Sequence, residues 1–130
     1  MADPLVVDTD LVIDFLRGRG DGATAMRGWL REGRVRLTAV TAYELRAGLD
    51  FDRRRDVILT LLTGRTLPLD AASALAAGRV RRQLEGTGLG IGTPDQLQAG
   101  ICLRHGLALA TRNRRHFERI EGLQLAELPA

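Results

Sequence analysis

Short apolar runs alternate with helix-like segments along this chain, and the first run, Leu5-Val6-Val7, stops abruptly at Asp8. Three consecutive apolar side chains without polar alternation suit a strand buried on both faces, as in a parallel sheet. Asp10 can then cap a helix through Leu11, Val12, Phe15 and Leu16, stopped by Gly18 and Gly20. Asp21 can cap a second helix, ended by Gly33, and Val35 to Thr38 reads as a strand. Thr41 can cap a helix carrying Glu44 and Leu45, with Gly48 as its stop. A helix is expected over 52–62, an extended segment at Thr66 to Leu69, and a long alanine-rich helix from Asp70 to Glu85. After the glycine-rich loop of residues 86–92, Thr93-Pro94-Asp95 is a helix start, with Thr93 as cap and Pro94 in the first turn. That helix ends near His105-Gly106; Leu107 to Ala110 reads as a strand, Arg114 to Ile120 as a short helix and Leu123 to Leu128 as a last strand. Strands alternating with helices define an α/β chain whose mostly parallel sheet is covered on both faces. Such sheets bind ligands beyond the carboxyl ends of their strands. Asp8, Asn113 and the helix bearing Glu44 all follow strands directly, which puts them on one edge of the sheet.

The 130 residues suit a single domain spanning 1–130. No apolar run approaches the roughly 20 residues of a membrane span, and Met1-Ala2-Asp3-Pro4 lacks the basic start of a signal peptide, so a cytoplasmic location without membrane contact is expected. The single cysteine, Cys102, can form no internal disulfide and, with only two histidines, no cysteine-rich zinc site; flanked by Ile101 and Leu103 it reads as core. All 19 basic residues are arginine. The absence of lysine excludes any mechanism that needs an ammonium group. A net charge of +3 is compatible with RNA binding without establishing it.

Chemistry is concentrated in the acids. Asp8 follows directly on residues that must be buried, and a carboxylate at that depth needs partners or a metal. Glu44 alone would pass for a solvated helical residue, and Asp95 for an acid favoured by the helix dipole. The loop at 86–92 fits neither the GxGxxG nor the P-loop pattern, and the latter also needs a lysine. Arg53-Arg54-Arg55 and Arg79, Arg81 and Arg82 read as solvated charge clusters. Arg112, Arg114 and Arg115 neighbour the expected site and are RNA-binding candidates. At 4% aromatic content there are few platforms for base stacking.

Taken together, Leu5-Val6-Val7-Asp8-Thr9-Asp10, then Thr41 to Gly48 around Glu44, then Asp95 leading into Ala99, then Leu109-Ala110-Thr111-Arg112-Asn113 with Phe117, resemble the PIN-domain ribonucleases, and within them the VapC-type toxins of bacterial toxin–antitoxin pairs. The resemblance runs from about Leu5 to Leu125. It implies a three-layer α/β/α fold with a central sheet of four to five strands, an acidic pocket for Mg²⁺ or Mn²⁺, and endonucleolytic cleavage of RNA. Asp8, Glu44 and Asp95 match the family's acidic positions and are the implied catalytic and metal-binding residues. Asn113 falls where many relatives carry a fourth acid, His116 where an aspartate is frequent, and Asp10 where asparagine is commoner. A second metal would draw on Asn113, Asp10, Thr9 or Thr111. The resemblance further implies a homodimer and a cognate VapB-like antitoxin, with apolar ridges near Leu11 to Leu16 and Leu49 to Leu62 as a candidate groove for it. Two other readings stay open on the residues. Asp8-Thr9-Asp10 after a strand also resembles haloacid-dehalogenase-like phosphatases, with Asp8 as nucleophile, although those normally use a lysine. A non-catalytic binding module could carry the same acidic pocket.

Overall fold

The computed structural model describes residues 2–129. Four strands, β1 (Leu5–Val7), β2 (Val35–Thr38), β3 (Thr66–Leu67) and β4 (Ala108–Ala110), form one sheet in the order β3-β2-β1-β4, and every pairing is parallel. The helices are α1 (Thr9–Arg17), α2 (Gly20–Arg31), α3 (Ala39–Ala47), α4 (Arg55–Leu62), α5 (Ala71–Glu85), α6 (Thr93–His105) and α7 (Arg114–Phe117). The alternation of side chains along β1 divides the core in two. Leu5 and Val7 pack with Leu11, Val12, Met26, Trp29, Ile58 and Leu61 of α1, α2 and α4. Val6, on the opposite face, packs with Val80 and Leu84 of α5, Ala99 and Cys102 of α6, and Phe117 of α7. This is the three-layer α/β/α arrangement expected. No helix among the described residues is long and apolar enough to cross a membrane.

Several boundaries differ from the sequence expectation. Asp8, not Asp10, is the N-cap of α1: its side chain accepts the Thr9 N–H, and its carbonyl accepts from Leu11 and Val12. Thr38, not Thr41, caps α3, its hydroxyl accepting from Thr41 N. Gly92 and Arg19 take the cap positions assigned to Thr93 and Asp21, and α4 begins at Arg55 rather than at residue 52. Gly18 and Gly106 end α1 and α6 in the left-handed conformation (φ 64° at each), which costs a glycine nothing. The last strand shrinks to a single parallel bridge, Leu109 with Leu125, made by Gln124 O and Ala126 N. The helix after β4 likewise closes at Phe117.

The chain starts in the middle of the sheet, builds outward through β2 to β3, then returns to the other side of β1 as β4. The strand order therefore reverses between β1 and β4. At such a point the connections leave in opposite directions and open a crevice at the carboxyl ends. β1 runs into Asp8 and β4 into Thr111 at this crevice. The helix that brings Asp95, α6, is fixed by close packing on α5: a Cβ added at Gly100 would stand 2.5 Å from the Ser73 carbonyl oxygen and 2.7 Å from Ala77 N. Only a glycine lets these backbones approach so closely.

Candidate active site at the switch point

Asp8 lies at the bottom of the crevice, 7% exposed. Its Oδ2 accepts the Thr111 hydroxyl at 2.7 Å across the β1–β4 boundary, and its Oδ1 accepts Thr9 N at 3.0 Å and, at 3.4 Å, Gln98 Nε2 from α6. Burial pushes its carboxyl up to about 6; the Thr111 and Thr9 hydrogen bonds oppose this, and the charges of Asp10 and Asp95 add to it. The fields of Asp10 and Asp95 thus reach Asp8. Among the described residues no arginine pairs with Asp8 or with Glu44: Arg112, at the mouth, is 2.8 Å from Asp14 and 3.7 Å from Asp10.

Glu44 projects from α3 toward the start of α1. Its Oε1 accepts the Thr9 hydroxyl at 2.7 Å, and Thr9 Oγ1 is in turn 2.9 Å from Thr41 Oγ1. Asp95, in the first turn of α6, meets His116 Nδ1 at 3.1 Å. The three acids thus come from three elements that converge on one end of the sheet. Thr9 and Thr111 hold carboxylates by direct hydrogen bonds. Asp10 is half-buried beside them, its Oδ1 accepting from Leu11 N. Asn113 is exposed and its side chain makes no cap, while its backbone N–H donates to Thr111 Oγ1. Of the arginine candidates, Arg114 is tied to the Ala126 carbonyl, Arg112 to Asp14, and Arg115 is exposed. The Cys102 thiol is fully buried and pushed up to about 12 by that burial, as suits a core residue.

The sequence reading missed Gln98. It is 1% exposed and joins Asp8, Thr38 and Thr41. A polar side chain three residues after Asp95, on a helix whose next four residues are also buried, was the only available signal.

The donor set bears on whether a cation fits. Every candidate ligand is oxygen, which suits hard ions such as Mg²⁺ and Mn²⁺ rather than zinc. Among the described residues no group of three or more His, Cys, Asp or Glu side chains is placed to hold a metal ion by itself. Mg²⁺ characteristically keeps several waters and takes only one or two carboxylates directly. A buried Asp8 without a countercharge, with acids on two sides, fits such a hydrated ion.

Residues 5–123 match the family model of the PIN domain. The tRNA(fMet)-specific endonuclease VapC of Shigella flexneri is 30% identical, over 92% of this chain and 93% of its own length. Ribonuclease VapC10 of Mycobacterium tuberculosis is 32% identical, over 92% of this chain and 90% of its own. The VapBC complex of Salmonella typhimurium, solved bound to DNA, superposes with a TM-score of 0.77 at 26% identity, covering 96% of this chain and 98% of the other. The chain belongs to the PIN-domain family, in its VapC branch. That membership sets aside the phosphatase reading, for which this chain also lacks the lysine.

Proposed function

We propose that this protein is an endoribonuclease toxin that depends on Mg²⁺ or Mn²⁺, with Asp8, Glu44 and Asp95 as its catalytic carboxylates. One observation carries the reading. A carboxylate buried at the switch point, raised to about 6 and paired with no cation among the described residues, stands beside the Thr9 that holds Glu44 of α3 and within the field of Asp95 of α6. A divalent ion held by these residues supplies the positive charge that activates water and stabilises the leaving oxygen. Thr111, Thr9 N and Gln98 hold Asp8 as an acceptor, and Thr9 does the same for Glu44. Arg115 and the outer face of Arg112 offer charge to the RNA backbone. Relatives named as tRNA(fMet)-specific endonucleases make tRNA the first substrate to try. A VapBC complex among the similar structures supports a VapB-like antitoxin as partner, and on this reading two copies of this chain would form the homodimer that carries the antitoxin, in the cytoplasm.

The test is cleavage of tRNA and of total RNA by purified, partner-free protein. Cutting is expected with Mg²⁺ or Mn²⁺ and is expected to stop with EDTA. Asp8→Ala, Glu44→Ala and Asp95→Ala should each remove most of the activity. Undiminished cutting in EDTA sinks the metal mechanism. A chain that neither cuts RNA nor arrests growth without its genomic neighbour is a binding module instead.

A further inference from the structure

Each inner carboxylate has, among its donors, one that traces back to the same side chain. Gln98 sits in mid-α6 with its carboxamide buried, and a buried carboxamide must place two N–H donors and a carbonyl. Its Oε1 accepts the Thr38 hydroxyl, whose oxygen also accepts Thr41 N. Its Nε2 is 3.4 Å from both Asp8 Oδ1 and Thr41 Oγ1. The opposite amide orientation would turn a carbonyl toward the Asp8 carboxylate and leave Thr38 facing N–H groups, so the network itself assigns the nitrogen.

The direction of the remaining bonds follows from hydrogen counting. Each threonine hydroxyl has one hydrogen. Thr9 gives its hydrogen to Glu44 Oε1 at 2.7 Å. In the 2.9 Å contact between Thr9 and Thr41, the donor is therefore Thr41. Thr41 oxygen is then free to accept from Gln98. One N–H of Gln98 thus ends on Asp8, and the other leads through Thr41 and Thr9 to Glu44.

We propose that Gln98 is a positioning residue of this site: its single carboxamide fixes Asp8 directly, and Glu44 through Thr41 and Thr9, as hydrogen-bond acceptors turned toward one divalent cation. The proposal rests on the metal-dependent reading above. Replacing Gln98 alone leaves the buried Thr38 hydroxyl without its acceptor and lowers stability whatever the role of Gln98, so a merely structural Gln98 predicts a lower melting temperature with unchanged metal affinity. Gln98→Met removes both donors.

The experiment measures Mn²⁺ affinity of the RNA-free protein by calorimetry, together with kcat and KM for RNA and the melting temperature. Orienting partners of metal ligands typically control affinity by about ten- to a hundred-fold. Gln98→Met should lose affinity in that range, with kcat falling in parallel and KM for RNA nearly unchanged. Thr41→Val severs only the branch to Glu44 and should show a smaller loss. Wild-type Mn²⁺ affinity and kcat in Gln98→Met, with or without a change in melting temperature, overturn the proposal. If that variant does not fold, Thr41→Val decides: reduced Mn²⁺ affinity supports the relay and unchanged affinity overturns it. A wild-type chain that binds no Mn²⁺ overturns the metal-dependent reading itself, a result distinct from any difference among variants.

Discussion

Asp8→Asn should make the metal-free protein more stable at neutral pH while abolishing cleavage. The carboxyl is raised from its ordinary 3.8 to about 6, chiefly by burial. The native state therefore holds this proton more tightly than the unfolded chain. Below the unfolded value both states are protonated and the group costs nothing. As pH rises from about 4 to about 6 the unfolded chain ionises first and stability drains away. Above about 6 the loss is complete, at about 3 kcal/mol. Asparagine avoids this loss and still accepts Thr9 N, but its amide nitrogen cannot accept the Thr111 hydroxyl, which takes back about 1 kcal/mol. The net gain is about 2 kcal/mol at pH 8, or roughly 8 °C in melting temperature for a chain of this size. Calorimetry in EDTA from pH 8 to pH 4.5 reads it out: the gap between variant and wild type should close as pH falls through 6. Saturating Mn²⁺ should reverse the order at pH 8, because only the wild type gains from binding. A variant less stable than wild type at pH 8 in EDTA, or a gap independent of pH, would falsify the account of Asp8 as a buried charge awaiting a cation.

Three further outcomes are expected. Gly100→Ala places a methyl group 2.5 Å from the Ser73 carbonyl; it should cost about 3 kcal/mol in urea unfolding, the upper range for overpacking, and an unchanged midpoint would show that α5 and α6 separate freely. Thr9→Val removes the hydroxyl that holds Glu44; cleavage should fall about ten-fold, equivalent to the ~1.4 kcal/mol of one hydrogen bond to a charged group, and a wild-type rate contradicts that role. Asn113→Ala should do less harm to cleavage than Asp8→Ala, since Asn113 is exposed and its side chain holds neither inner carboxylate; equal losses in the RNA assay contradict this ranking.

β1 and the depth of Asp8 were legible in the sequence because burial on both faces writes a continuous apolar run, and this one ends at Asp8; Glu44 and Asp95, unremarkable by themselves, were expected only from the family resemblance. Caps were less legible. Asp8 and Asp10 both suit an N-cap, and only the length of β1, three residues, decides that the helix starts at Thr9. Thr38 and Thr41 pose the same ambiguity, resolved when the hydroxyl of the first accepts the N–H of the second. The segment at 123–128 has strand-like composition, yet only Leu125 pairs with the sheet, along the three-residue edge strand β4. Gln98 was invisible for a different reason. Helix α6 is sandwiched between the sheet and α5, so its buried residues run consecutively from Gln98 to Cys102. No face pattern then distinguishes a polar residue turned inward from one turned to solvent.

Asp8 does two jobs with one side chain: it caps α1 and it is the innermost acid of the site. These jobs tolerate different replacements. Asparagine, serine and threonine can all cap a helix, and none supplies the charge. A descendant released from the need to cut RNA could therefore drift at this position only along a narrow channel, toward residues that keep the helix start. Among relatives of this fold, a silent catalytic position should be marked less by random loss than by asparagine or serine standing where the aspartate was, with Glu44 and Asp95 freer to vary because neither caps a helix.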